Sequence, residues 1–561
     1  MKYSTNSPTL LLVVLISVLA VSCDLFDASN LDETPPHLMT GETMYTDYSG
    51  FQAGLNGLYH LARTERSVST WSHMMTGSMF MLGTDNQATN QFNPGFYLIA
   101  QHWGDHNNAS HEEIEFAFSW LYQMVNSANT IIQYAERDDI EIDWSGGSFS
   151  ADENKNIILA EAHALRAWAY RHLTFGWGDV PLALEPSSGA TIRTDWTRTP
   201  VNEVREQIVA DLEFAEQYIP VEPINPGRLT KGAVQHYLAE MALVNDDPET
   251  ALTWADAVIN NSAYQLITER YGVRANQPGV PFMDMHYDGN TNRDEGNTES
   301  LWTFQYGYDM TGAGEGISRR YHLTRYWNIS IDGVNPFQIT HERGGQGYGR
   351  GSITKFALEL YEQQDDRFSE HAMRTFFVLK DAEANAPFAA DRLPPGYAYG
   401  DTVRLDWSED ISPTNRTTPN WPYSRKPEGA NPGNVLSVNN HNDVYLRLAD
   451  TYMLKAEAQY LLGNEAGAAE TINVIRRRSN ASEITASDVD IDFILDERSR
   501  ELFLEEHRRW TLLRTGKLVE RTRAYNNNGG QFITERDELF PIPQSVIDTN
   551  LGEDFPQNPG F

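Results

Sequence analysis

From Leu446 to Arg478 the chain reads LRLADTYMLKAEAQYLLGNEAGAAETINVIRRR. Leu446, Ala449, Met453, Ala456 and Tyr460 step by 3, 4, 3 and 4, which places them on one face of a helix. Gly463-Asn464 turns the chain, and Ala468, Ile472 and Ile475 face back on a return helix. The same design occurs earlier. Ala233, Tyr237 and Met241, with Val234, Leu238 and Ala242 beside them, form one apolar face. Asn245-Asp246-Asp247-Pro248 then restarts the chain, with Asp247 as N-cap and Pro248 at the first helical position, and Ala251, Leu252, Ala255 and Val258 continue on a second helix. Two short amphipathic helices about a tight turn are the unit of tetratricopeptide arrays, whose period is about 34 residues. Here the period is broken, so the expected fold is mostly α, with interrupted, degenerate tetratricopeptide-like helix pairs.

Outward from these pairs the chain divides in two. Residues 39–264 read as a helical N-terminal region. Within it Phe116, Trp120, Val125, Ala128 and Ile132 suit one helix face, and Ile158, Ala162, Leu165, Ala169 and Leu173 form a second apolar stripe. Gly176 and Gly178 end that helix and Pro181 prevents its return. Residues 265–561 form a C-terminal region, with irregular loops over 265–440 and tetratricopeptide-like helices over 441–520. Gly, Pro, Asn and Asp are dense in the irregular part, where Glu299 to Tyr306 alternates like a short strand. Long irregular stretches such as 381–440 are typical of binding regions. Glu497-Arg500, Asp496-Arg500 and Glu505-Arg509 are spaced for ion pairs across one turn, expected on a solvated surface or between helices.

The N-terminus decides location. Lys2 precedes an apolar run from Leu10 to Val21, broken by Ser17, and Ala20-Val21-Ser22 leads into Cys23, the single cysteine of the chain. This reads as a signal peptide over 1–22, with a cleavage site similar to the lipobox of bacterial lipoproteins, although Leu19 stands one position further from the cysteine than is usual. Cys23 is then the lipidated residue, and the acidic, Pro-containing stretch 23–38 a tether. One cysteine leaves no internal disulfide and no Cys-based metal site. With 43 Lys+Arg against 78 Asp+Glu, the net charge of −35 argues against nucleic acid and against a basic membrane patch. The 13 Trp and 26 Tyr are far more than a disordered chain carries.

Five further stretches occur in order. Glu161-Ala162-His163-Ala164-Leu165-Arg166-Ala167 leads to Phe175-Gly176-Trp177-Gly178-Asp179-Val180-Pro181-Leu182. Gly227-Arg228-Leu229-Thr230 follows. The Leu446–Arg476 helix pair comes next, then Glu497-Arg498 to Arg508-Arg509-Trp510. Phe540-Pro541-Ile542-Pro543 with Gln557-Asn558-Pro559-Gly560-Phe561 closes the chain. Together these resemble the SusD/RagB family of outer-membrane nutrient-binding lipoproteins. The resemblance implies a lipid-anchored protein in the outer membrane, facing the exterior. It implies a partner, a SusC-type TonB-dependent transporter, and a ligand, an oligo- or polysaccharide or in some members a peptide. It implies no enzyme and no cofactor.

Glycan capture needs aromatic rings for sugar faces and polar groups for hydroxyls. One cluster offers Trp71, Asp85, Asn86, Phe92, Tyr97 and Trp103; Gly83-Thr84-Asp85 matches a pattern that lies near ligand in the family. A second offers Tyr306, Tyr308, Arg319, Arg320, Tyr321, Tyr326 and Trp327, and the two are expected to converge. Loop-borne Trp71 and Trp327 are the leading stacking platforms, and Trp302 on the strand is read as core. Asp288-Gly289-Asn290-Thr291-Asn292 with Glu299 has calcium-loop spacing, but Arg293 replaces the usual glycine, so a polar turn is the preferred reading and no metal is assigned. A surface glycoside hydrolase would need two flanking carboxylates, to which nothing in the sequence points.

Overall fold

The computed structural model describes residues 40–67, 76–90, 96–187, 193–307, 314–382, 389–412, 419–429, 435–436 and 440–561. Cys23, Trp71, Phe92 and Tyr308 lie outside the described residues. The N-terminal region is built from α1 (Tyr48–Arg63), α2 (Glu112–Ala135), α3 (Ala151–Trp177), α4 (Val201–Tyr218), α5 (Lys231–Val244) and α6 (Pro248–Ile259). The C-terminal region adds α7 (Leu448–Leu461), α8 (Glu465–Arg478), α9 (Ile491–Leu502), α10 (Arg508–Arg514) and α11 (Leu518–Tyr525). Short polar side chains start these helices. Ser150 and Glu153 close a capping box on α3, Thr230 accepts from Ala233 N at 3.1 Å, Asp247 from Thr250 N at 3.0 Å and Asn464 from Gly467 N at 3.0 Å. None of the described helices is long and apolar enough to cross a membrane.

The two helix pairs, α5–α6 and α7–α8, pack side by side. Ala239, Ala242, Ala251, Ala255 and Ala458 meet Leu243 and Leu454 in one buried cluster, so small side chains let the pairs approach closely. One boundary differs from the sequence reading. Leu446 does not open α7; it lies on strand β8 (Asp443–Arg447), which pairs antiparallel with β2 (Ser300–Phe304), Trp302 opposite Leu446. Leu446 fits both a helical stripe and an inward strand position, and long-range pairing settled it.

Helix α3 is the axis of the fold. Its stripe from Ile158 to Leu173 is fully buried, and Glu161, Arg166 and Arg171 on its other faces are buried too. Glu161 pairs with Arg228 at 2.7 Å, Arg166 with Asp211 at 2.7 Å, and Arg171 with Glu240. The C-terminal segment closes under its end: Trp177 Nε1 donates to Pro541 O at 3.0 Å, Phe540 N to Gly176 O at 2.7 Å, and Asn558 Nδ2 to Trp177 O at 3.1 Å. Motifs far apart in sequence therefore meet as one structural unit.

Of the two settings expected for these charged residues, a solvated surface or an interhelix contact, the structure shows the interior one. Glu497 does bond Arg500 at 2.8 Å, but both side chains are buried. Asp496 pairs with Arg521 instead, Glu505 with Arg447 and Lys426, and Arg509 donates to Asp537 O and Glu538 O. Glu497 and Glu501 of α9, with Glu505 in the turn beyond it, thus face Arg367, Arg447, Arg476 and Arg478. Burial would raise these carboxyls; the surrounding guanidiniums override it and hold Glu497 and Glu505 at about 2.

The loop-rich half carries small antiparallel pairs. β1 (Gln87–Thr89) pairs with β3 (Gly351–Ile353), β4 (Met373–Arg374) with β7 (Tyr423–Ser424), and β5 (Phe376–Val378) with β6 (Thr402–Arg404). A local core of Leu323, Tyr326, Ile329, Phe337, Phe377 and Leu405 packs with the β5–β6 pair, with Trp327 packed at its edge.

Candidate ligand platform

Three segments build the platform: the short helix Ser318–His322, the turn Tyr326–Asn328 and the glycine-rich loop Gly344–Arg350. The loop docks by backbone bonds. Tyr348 N donates to Arg320 O at 2.8 Å, Gly349 N to Leu323 O at 2.7 Å and Arg350 N to Tyr321 O at 2.8 Å. Gly347 is required here, because a Cβ would lie 2.2 Å from Leu323 O. Tyr326 turns inward and donates its hydroxyl to Gly345 O at 2.9 Å, fixing the loop from beneath.

The docked loop presents the Tyr348 ring beside Trp327, centroids 6.5 Å apart at 78°, with both side chains half-buried. The Trp327 Nε1 donates to Gly347 O at 3.3 Å, so the indole is held in place. Three guanidiniums surround the Tyr348 ring: Arg320 at 4.6 Å, Arg325 at 5.0 Å and Arg350 at 5.5 Å from its centroid. Burial lowers the Arg325 guanidinium from its ordinary value, and neighbouring Arg350 lowers it further. Burial and then Arg320 bring buried Arg319 down to about 10.

Several expected site residues lie elsewhere, and their burial corrects the reading. Asp85 is fully buried and binds Arg508 at 2.6 Å and Arg521 at 2.8 Å, tying α10 and α11 to the N-terminal region. Asn86 is buried against Ser499 at 3.2 Å. Trp103 is fully buried under Arg509, 5.2 Å from its ring, and Tyr326 serves the loop's core. A carboxylate and rings without solvent access offer nothing to a large glycan. Tyr306 is buried as well; it lines a small cleft of about 30 Å³ with Arg66, Arg319, His441 and Asp443. Tyr97 lies on the helix Phe96–His102. Trp302 is core, as read. The segments that carry the two clusters touch through the β1–β3 pair and Gln87 Nε2, 3.2 Å from His322 Nδ1, in buried residues that are not themselves the site candidates. Trp327 and Arg320 are the residues of the sequence reading that reach the platform; Arg325, Tyr348 and Arg350 were missed. A Gly-x-Gly-Tyr-Gly run beside an Arg-rich turn was the available signal.

In the 288–299 loop Asn290 and Glu299 already have protein partners. Asn290 Oδ1 accepts from Val273 N at 2.9 Å, and Glu299 binds Arg447 at 2.7 Å, Arg478 at 3.2 Å and Ile267 N at 3.0 Å. Glu65, His172 and His507 lie within ligating reach of one another, but all are buried, and Glu65 already accepts from His507 at 2.8 Å and Tyr445 at 2.6 Å with Arg66 at 3.3 Å. This is a hydrogen-bond network in the core.

Fold and platform together define a helical scaffold that displays an aromatic surface on irregular loops. Two family models match: the SusD family over residues 298–561, and "starch-binding associating with outer membrane" over 31–243. The chain belongs to the SusD/RagB family. It is 26% identical over 565 residues to SusD-like protein P2 of Formosa agariphila, covering 97% of this chain and 99% of that one. Its fold is similar to a SusD homolog of Bacteroides thetaiotaomicron, TM-score 0.69 at 19% identity, covering 93% and 98% of the two chains. It is similar too to surface glycan-binding protein A of the same organism, solved with laminarihexaose, TM-score 0.65 at 20% identity, covering 91% and 100%.

Proposed function

We propose that this chain is a cell-surface glycan-binding lipoprotein, anchored in the outer membrane through acylated Cys23. It captures oligo- or polysaccharide and passes it to a SusC-type TonB-dependent transporter. The observation that carries the reading is the Trp327–Tyr348 pair, two half-exposed rings fixed edge to face by a loop whose backbone is locked. Sugar faces stack on such rings, while guanidiniums and main-chain carbonyls read hydroxyls. The platform's groups bind and orient; a glycosidase would need paired carboxylates beside the rings. Names carried by similar proteins support the same reading.

The test is affinity electrophoresis of the detergent-solubilised lipoprotein through gels holding soluble polysaccharides, with a reducing-end assay on each hit. Retardation without new reducing ends is expected. Retardation with cleavage would make it a hydrolase, and co-purification of peptides with no glycan retardation would move the ligand class.

A further inference from the structure

In a chain with 78 acidic and 43 basic side chains, an arginine has carboxylates in excess to choose from. Arginines near the platform take them: Arg343 pairs with Asp391 at 2.5 Å, and Arg374 and Arg425 both pair with Glu428 at 2.8 Å. Arg320 and Arg325 do not. Among the described residues neither forms an ion pair, and the contact of each guanidinium is the Tyr348 ring. The Arg325 Nε is buried without a hydrogen-bond acceptor. Next to them, buried Arg319 spends one N–H on Val435 O at 3.2 Å and leaves Nε and Nη2 without acceptors. Like charges are thus gathered at a surface where two aromatic rings, Trp327 and Tyr348, are also displayed.

The arrangement is costly without a ligand. A shared ring gives each cation less than a carboxylate would, and adjacent guanidiniums repel. A neutral sugar needs no such concentration of charge, since hydroxyls are read equally well by amides and carbonyls. An anionic sugar does need it. A polyanion approaching a chain of net charge −35 is repelled everywhere except at a local cationic patch. The guanidinium fork is the group best shaped for a carboxylate or sulfate oxygen pair.

We propose that the platform takes an anionic glycan, its rings stacked on Trp327 and Tyr348 and its sulfate ester or uronate carboxylate held by Arg320 and Arg325. This rests on the platform being the glycan site, and names the substrate class that site selects.

The test uses the full detergent-solubilised lipoprotein in gels of laminarin and pullulan (neutral), polygalacturonate (carboxylate), λ-carrageenan (sulfate) and chemically desulfated carrageenan. Wild type is expected to be retarded by one or both charged polymers, to pass freely through the neutral ones, and to lose most retardation in 0.5 M NaCl, where charge is screened. The Arg320→Gln/Arg325→Gln pair should weaken that binding at least tenfold with an unchanged Tm, and the Lys/Lys pair should retain part of it. Retardation by polygalacturonate alone assigns a uronate, by carrageenan but not its desulfated form a sulfate ester. Binding to neutral gels that Trp327→Ala abolishes and the Gln pair leaves intact would overturn the inference while keeping the glycan site. Charged-gel binding indifferent to the Gln pair would also overturn it. Free passage through every gel would remove the glycan reading itself.

Discussion

Glu501 lies 2.5 Å from Arg447, with both side chains fully buried. The pair ties the junction of strand β8 and helix α7 to helix α9, and Glu501 also takes Arg367 at 3.1 Å and Arg478. The helix pairs of the C-terminal half are therefore joined to the loop-rich half by charge as well as by apolar contact. Removing one member of such a network strands the others in low dielectric. Glu501→Ala should destabilise the fold by about 3–5 kcal/mol in urea titrations. Glu501→Gln, which keeps volume and one acceptor, should cost less; equal losses would argue that packing and not charge holds this junction.

The stability should fall with acid in two stages. Burial brings His286 and His322 down to about 3, well under their ordinary 6.5. Glu497 and Glu505 sit at about 2, under their ordinary 4.5. In each case the unfolded chain takes the proton first, so the stability is complete above the unfolded value and is lost as pH falls toward the folded one. Tm should decline from about pH 6.5 and drop more steeply below about 4.5. A Tm constant from pH 7 to 4 would contradict this account of the buried groups.

Gly347→Ala should dislodge the platform. The added methyl meets Leu323 O at 2.2 Å, and the docked loop must shift to admit it. A loss of about 1–3 kcal/mol is expected for such overpacking. Faster amide exchange at Tyr348 and Gly349, whose N–H groups bond Arg320 O and Leu323 O, should accompany it. Unchanged exchange would mean that the loop is held by something other than these bonds.

Cys23→Ala should move the protein from the membrane fraction to the soluble one. Persistence in membranes lacking any transporter partner would contradict the lipid anchor.

The helix pairs were readable because their Ala and Leu stripes repeat at helical spacing and their caps are unambiguous: Asp247-Pro248 and Asn464 stand where the helices begin. Leu446 was misplaced because a step of three suits a helix and also a strand end. The ion pairs were right in one spacing, Glu497 with Arg500, and the choice between a solvated surface and an interhelix setting was not legible, since an i,i+3 Glu–Arg pair looks the same in water and in a core. Asp85 resembled a ligand residue because carboxylates beside aromatics do. Its real partners, Arg508 and Arg521, lie 423 and 436 residues away, beyond any local pattern. The platform was half legible. Trp327 and Arg320 sit in one aromatic and basic run, but Tyr348 joins them through a loop whose docking is tertiary.

The most direct test of the platform is the affinity of wild type and Trp327→Ala for whichever polysaccharide retards the lipoprotein, measured by calorimetry. Loss of the indole should weaken binding by about 1–3 kcal/mol, as for an aromatic hot spot, with an unchanged Tm. Equal affinities in two equally stable proteins would contradict the account and place glycan capture on another surface.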